Sequence, residues 1–477
     1  MAPAVRTETQ LERTLGLSAA LMIGIGTMIG AGIFVLPGPA AAAAGPAVVG
    51  SFLAGGLIAL FTAFSASELA TAMPRAGGSY HFINRGLGPL FGAIAGIGNW
   101  LGLAFASAFY VLGFGSYLGL LLGTVTSLPT LHLGPVILTE AQIGGILAGV
   151  LFIAVNYVST KGTGDLQNVI VIGLLGILGV FALLGFLQAD LSTLRPFAPE
   201  GWGAMLPGTA LVFVSYLGFV KITTVAGEIK KPGRNLPIAI VGSVVIVTAL
   251  YGLIMVILLA VVDREVIAGS ETAVAEVAGV VFGNVLGVSV LGVVLLTLAG
   301  LLATASSANA SILAASRINY AMGRDRLVWP GLNEINARFN TPGRAILLTG
   351  ALIVLFVFIG DVAVLAKSAA VLHLVVYGLL NIALIVFRET DGFSYEPVYE
   401  VPAYPFVPIL GAITSFGLIA FMDPIEILLA FLLVAISVLW YLAYARARTE
   451  DESALARFRR PELVESEVEL GDTTERE

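Results

Sequence analysis

From Leu17 onward the chain alternates long apolar stretches with short polar links, and no other feature limits its fold so severely. A helix that crosses about 30 Å of hydrocarbon needs roughly 20 apolar residues in a row. Twelve such segments can be drawn: 17–44, 47–72, 89–123, 141–158, 166–187, 206–229, 237–262, 285–316, 343–360, 364–387, 405–422 and 425–445. Composition agrees, with 58% apolar residues, 12% charged residues and a mean hydropathy of +0.97. A soluble domain carries about a quarter charged residues, so soluble, disordered, coiled-coil and nucleic-acid-binding classes are excluded. With Cys at 0, disulfide frameworks, zinc-thiolate centres and thiol catalysis are excluded as well. The expectation is an all-α polytopic membrane protein with twelve transmembrane helices, surrounded by the lipid bilayer.

The two ends are polar. Residues 1–16 read as a tail with no small-residue cleavage site behind it, hence no removable signal peptide. Residues 446–477 are charged and poor in aromatics, which predicts disorder. Lys and Arg are distributed unevenly between the links. Those after even-numbered segments hold Arg75, Arg85, Lys161, Lys230, Lys231, Arg234, Arg317, Arg324, Arg326, Arg338, Arg344 and Arg388. Those after odd-numbered segments hold only Arg195 and Arg264, among several acids. The positive-inside rule then places both termini in the cytoplasm of a multi-pass cell-membrane protein.

Two segments differ from the rest. The first contains four glycines in nine residues, Gly24 to Gly32, with Pro37 and Pro39 behind them. The sixth reads Ser215-Tyr216-Leu217-Gly218-Phe219-Val220-Lys221, a glycine at mid-segment with a charge three residues on. Glycine costs a helix about 1 kcal/mol per site, and irregular backbone at membrane depth is tolerated only where it lines a cavity. Interrupted helices five segments apart fit a five-plus-five inverted repeat with the ligand held at the breaks. The repeats would cover about 17–187 and 206–387, with 405–445 as extra helices of one transporter domain, 17–445. The competing explanation is that glycines only let helices approach, as Gly115, Gly119 and Gly123 would do in the third segment.

At these residues the chain resembles the amino acid–polyamine–organocation superfamily of amino-acid permeases. The resemblance is carried by Ile29-Gly30-Ala31-Gly32-Ile33-Phe34, by Met73-Pro74-Arg75-Ala76-Gly77-Gly78-Ser79-Tyr80, by Ala226-Gly227-Glu228-Ile229-Lys230-Lys231-Pro232-Gly233-Arg234-Asn235-Leu236-Pro237, and by Ala315-Ser316-Arg317 with Tyr320-Ala321-Met322-Gly323-Arg324-Asp325. It covers roughly residues 11 to 446. It implies a secondary transporter working by alternating access, driven by a proton or sodium gradient, with no cofactor and no catalytic residues. An exchanger or polyamine transporter of the same fold, or a non-transporting nutrient sensor, remains the alternative. There is no Walker motif, and the membrane-embedded ionisable set is too poor for an enzyme.

A broken helix can recognise both ends of an amino acid. The amides of Gly30, Ala31 and Gly32 open a half-helix and suit a carboxylate, while the carbonyls at Thr27, Met28 and Ile29 suit an ammonium group. Val214, Ser215, Tyr216 and Gly218 complete the candidate site from the sixth segment. By the same resemblance, Ser107 of the third segment and Ser311 of the eighth fall where relatives place substrate-facing residues, and Val220 falls where the arginine–agmatine branch often carries a gating acid. These neutral residues predict a neutral amino acid. A sodium ion would sit between Thr304, Ser306 and Ser307 and the carbonyls of Gly26 and Ile29. Alternatively, those hydroxyls bond carbonyls one turn back.

Proton-coupled relatives carry a Lys on the fifth segment, where this chain has Leu174. Lys221 is the replacement candidate, since it lies nine residues from Lys230, roughly 13 Å at 1.5 Å per residue, too far for an extended side chain to reach the surface; alternatively it is a static ammonium bonded to the freed carbonyls of the broken helix. His373 is either a proton relay or a packed imidazole. Glu68 and Glu228 either pair with a loop Arg or are simply solvated. His81 and His132 offer no metal chemistry.

Overall fold

The protein is described by a computed structural model over residues 13–74, 77–123, 130–133, 136–158, 163–390 and 395–459. Arg75 and Lys161, counted above for orientation, lie outside these residues, as do residues 1–12 and 460–477.

All twelve apolar segments fall on helix. Among the described residues ten helices are long and apolar enough to cross a membrane, in keeping with an all-α polytopic membrane protein. The ninth and eleventh segments contain shorter helices, Gly343–Val357 and Phe406–Ile419. A helix not foreseen, Ala273–Leu286, precedes the eighth segment. Gly287, in the left-handed conformation at φ 72°, ends it with its N–H on the Gly283 carbonyl, so the long helix of the eighth segment starts at Ser289 rather than 285 and runs on to Arg324. The apolar pattern bridged that turn because Gly287 is flanked by Leu286 and Val288. A small antiparallel pair of strands, Leu131–Leu133 with Val136–Leu138, and a helix over Gly78–Leu87 are further departures from the predicted pattern.

The third segment is the spine of the molecule, packing against the fourth, eighth and tenth, while the second and first segments pack on the seventh. Gly115 makes the third and fourth helices cross closely, since a methyl there would lie 1.9 Å from the Ala141 carbonyl oxygen. Gly119 and Gly123 meet nothing comparable on another helix, so the small-residue reading holds for Gly115 alone.

A polar strip joins the second and tenth segments. Ser65 donates to Asn381 Oδ1 at 2.6 Å, and Asn381 Nδ2 donates to Thr62 at 3.0 Å. About one turn past Ser65, Glu68 is fully buried and takes both forks of the Arg388 guanidinium at 2.7 and 2.6 Å. Tyr395 and the Val401 amide donate to the same carboxylate at 3.0 and 2.6 Å. Solvation therefore does not explain Glu68: four donors replace the water it gives up.

The charged tail is ordered as far as it is described. Ala454–Arg459 is helical, Ser453 and Ala454 are buried against the Gly78–Leu87 helix and the tenth segment, and Glu452 pairs with Arg85 at 3.4 Å. Disorder was predicted from composition, which does not register that two small side chains suffice to seat one turn of helix.

Candidate substrate site

The first segment is helical over Leu17–Met28, breaks at Ile29 and Gly30, and resumes at Ala31–Val35. At the break the Gly30 N–H, which in an unbroken helix would bond the Gly26 carbonyl, bonds Met28 O at 2.8 Å instead. Gly26 therefore loses its helical donor, and Ala31, Gly32 and Ile33 begin a new helix whose first-turn amides have no intrahelical acceptor.

The sixth segment is irregular over most of its length. An α-helix over Met205–Val212 tightens over Phe213–Tyr216, passes through turns at 217–220, and resumes for one turn at Lys221–Thr224. The two interruptions touch. A methyl on Gly218 would stand 2.5 Å from the Thr27 carbonyl carbon and 2.6 Å from the Met28 nitrogen, so only glycine lets the backbones meet. The Thr27 hydroxyl lies 2.9 Å from the Gly218 carbonyl and 2.7 Å from that of Ile23, so its one hydrogen is shared between two segments.

Two serines flank the first-segment break. Ser307, from the eighth segment, crowds the position a methyl on Gly30 would take, at 2.2 Å from its Oγ. Ser215, from the sixth, does the same for Gly32 at 2.3 Å. Both hydroxyls are buried and neither has a hydrogen-bond partner. Thr297, Ser415 and Ser437 also have buried hydroxyls without a partner among the described residues, but Ser215 and Ser307 are the two that lie beside Gly30-Ala31-Gly32.

The remaining candidates divide. Thr304 bonds the Gly300 and Leu301 carbonyls of its own helix at 2.7 and 3.1 Å, and Ser107 bonds Leu103 O at 2.7 Å. Ser306 is half-buried on the neighbouring face of the eighth helix. Ile29 is buried at the break, and Val214 and Tyr216 are buried on the sixth segment. Tyr216 turns its hydroxyl to Phe52 O at 2.7 Å, so its ring, not its hydroxyl, is what it offers a ligand. The Met28 carbonyl, expected to be free for an ammonium group, already accepts Gly30 N–H and the Tyr251 hydroxyl, the latter at 2.5 Å.

Lys221 does not reach for the surface: its ammonium donates to Ser311 Oγ at 2.9 Å, joining the sixth and eighth segments just past the break. His373 has Nδ1 2.8 Å from the Ala369 carbonyl, and its ring fills the space over Gly102, which fits a packed imidazole rather than a relay. Among the described residues no three His, Cys, Asp or Glu are grouped to hold a metal. Two residues of the site were missed in the sequence. Tyr251 and Tyr377 donate to backbone carbonyls of the breaks, Tyr377 to Leu217 O at 3.3 Å. The available signal was a polar-tipped aromatic in the middle of an aliphatic segment, where its hydroxyl must find a buried partner.

Paired helix breaks inside an all-helical membrane protein define the transporter class in which ligand sites are built from unwound backbone. The amino acid permease family model matches residues 15–445, and the chain belongs to that family of transporters. It is 30% identical over 451 residues to a branched-chain amino acid permease of Lactococcus lactis subsp. cremoris, covering 90% of this chain and 93% of the relative. A methylthioribose transporter of Bacillus subtilis is 28% identical over 91% of this chain and 94% of the relative. A serine/threonine exchanger of Bacillus subtilis is 27% identical over 85% and 90%.

Proposed function

We propose that the protein moves neutral amino acids across the cell membrane by alternating access, with the substrate's carboxylate at the Gly30–Gly32 amides. The observation that carries this reading is the pair of orphan hydroxyls, Ser215 and Ser307, set on either side of the break. The carboxylate would take the free amides of the second half-helix together with these two donors. The ammonium group would take the break carbonyls other than Met28 O. Within the proposed twelve-span, five-plus-five arrangement, with both termini cytoplasmic, segments 405–445 stand outside the repeats. Neutral specificity is supported by the uncharged serines at the site and by Lys221, whose ammonium would repel a cationic side chain across a low-dielectric gap. Relatives named for branched-chain amino acids and for serine and threonine point the same way.

Coupling rests on one of two groups. A sodium ion would use Ser307 with the donor-free Gly26 carbonyl and Ile29. Lys221 would instead alternate between charged and neutral forms as its surroundings change. Uptake of labelled leucine, serine and arginine into proteoliposomes, under imposed pH and sodium gradients, tests both levels. Leucine or serine should outcompete arginine, and methylthioribose belongs in the same panel. Selective arginine uptake would sink the neutral reading. Proton-driven uptake that survives in Lys221→Met would remove Lys221 from the coupling step, and uptake requiring sodium would favour Ser307.

A further inference from the structure

Tyr251 sits in the middle of the seventh segment and is fully buried. Its hydroxyl lies 2.5 Å from the Met28 carbonyl and 3.5 Å from that of Ser215. One of these oxygens ends the first half-helix of the first segment, and the other belongs to the interruption of the sixth. A phenol has a single hydrogen to donate, so the short contact is the bond and the longer one brings the second break up beside it. The ring is fixed independently of the hydroxyl, edge-on to Phe52 at 5.6 Å and to Tyr216 at 5.5 Å between centroids.

Met28 O also accepts Gly30 N–H. Two donors converge on one carbonyl and fix the direction of the Met28 peptide. Without the second donor, Gly30 N–H has a competing acceptor in the Gly26 carbonyl, and the break drifts toward ordinary helix. In that geometry the amides that follow turn back along the helix axis and are withdrawn from a ligand. We infer that Tyr251 is a positioning residue for transport. From the seventh segment it holds the first-segment break open and keeps the Ser215 side of the sixth segment in register with it. The inference rests on the reading that the substrate binds at the breaks.

Tyr251→Phe removes the hydroxyl and leaves the ring between its neighbours. Tyr117→Phe is the control: Tyr117 is equally buried and donates to the Phe34 carbonyl at 2.7 Å, on the same segment but past the break. Two readouts are needed. The first is hydrogen–deuterium exchange of the Gly30–Gly32 amides in amino-acid-free protein, and the second is equilibrium binding of labelled leucine and serine. Tyr251→Phe should raise exchange at these amides and weaken binding, each by about tenfold, the scale of one lost hydrogen bond to a buried carbonyl. Tyr117→Phe should change neither, and melting temperatures should stay within a few degrees of wild type. Unchanged exchange in Tyr251→Phe would overturn the inference, as would raised exchange with wild-type affinity. Wild-type protein that binds neither amino acid would sink the substrate-site reading instead, because the exchange comparison needs no ligand.

Discussion

Glycine at three positions of the site does three different things, and only the structure separates them. At Gly30 the obstacle to a side chain is the Ser307 hydroxymethyl group, at Gly32 it is Ser215, and at Gly218 it is the Thr27–Met28 backbone itself. Gly30→Ala should therefore cost an overpacking energy of about 1–3 kcal/mol, read as roughly ten- to hundredfold weaker amino-acid binding. Adding Ser307→Gly should recover part of that loss by clearing the obstacle. Gly218→Ala should be beyond rescue by any single second substitution, since no side chain is there to trim. Binding isotherms for the four proteins decide it, and wild-type affinity in Gly30→Ala would remove the break from the site. The glycines themselves were legible in the sequence because bare backbone at membrane depth needs a reason. Their partners were not, since Ser307 and Gly30 are 277 positions apart in the chain and no local pattern links them.

The second and tenth segments are joined along one strip by neutral hydrogen bonds at mid-depth and an ion pair at the end. Arg388→Met strands the Glu68 carboxylate, whose side chain is 0% exposed, and breaking a buried pair in this way costs about 3–5 kcal/mol. A clear fall in melting temperature is expected. Glu68→Gln added to Arg388→Met removes the stranded charge and should restore most of it, whereas equal melting of both variants would mean that the pair carries no such weight. Segment lengths and the glycine-rich breaks follow from hydropathy and were readable. Which helix a lone Glu faces depends on packing between distant segments, so Glu68 read equally well as a solvated helix end. The helix over Ala273–Leu286 escaped notice for a related reason: the chain stays apolar through the turn at Gly287, and hydropathy does not register a change of direction.

At the scale of the whole molecule, one connection between segments carries a perturbed acid. Glu271, ahead of the Ala273–Leu286 helix, has its carboxyl raised above the usual range by burial and by Asp361, while the Ser116 hydroxyl, 2.5 Å away, pulls the other way. The folded state thus prefers the protonated form. Its stabilising contribution is complete below the unfolded value of about 4.3 and is lost as pH rises through the raised folded value. Glu271→Gln should melt higher than wild type at neutral pH, with the gap closing toward pH 4; a gap that widens on acidification would reverse the assignment. A different consequence follows from the contact of Gly218 with Thr27 and Met28. Since the two breaks are pressed backbone to backbone, neither has a shape of its own, and each is the mould of the other. Chimeras that graft the first segment of a relative with another substrate onto this chain should be inactive unless that relative's sixth segment travels with it. If the substrate binds at the breaks as proposed, selectivity passes between relatives as a matched pair of segments, and a library that varies one while fixing the other should yield mostly inactive proteins.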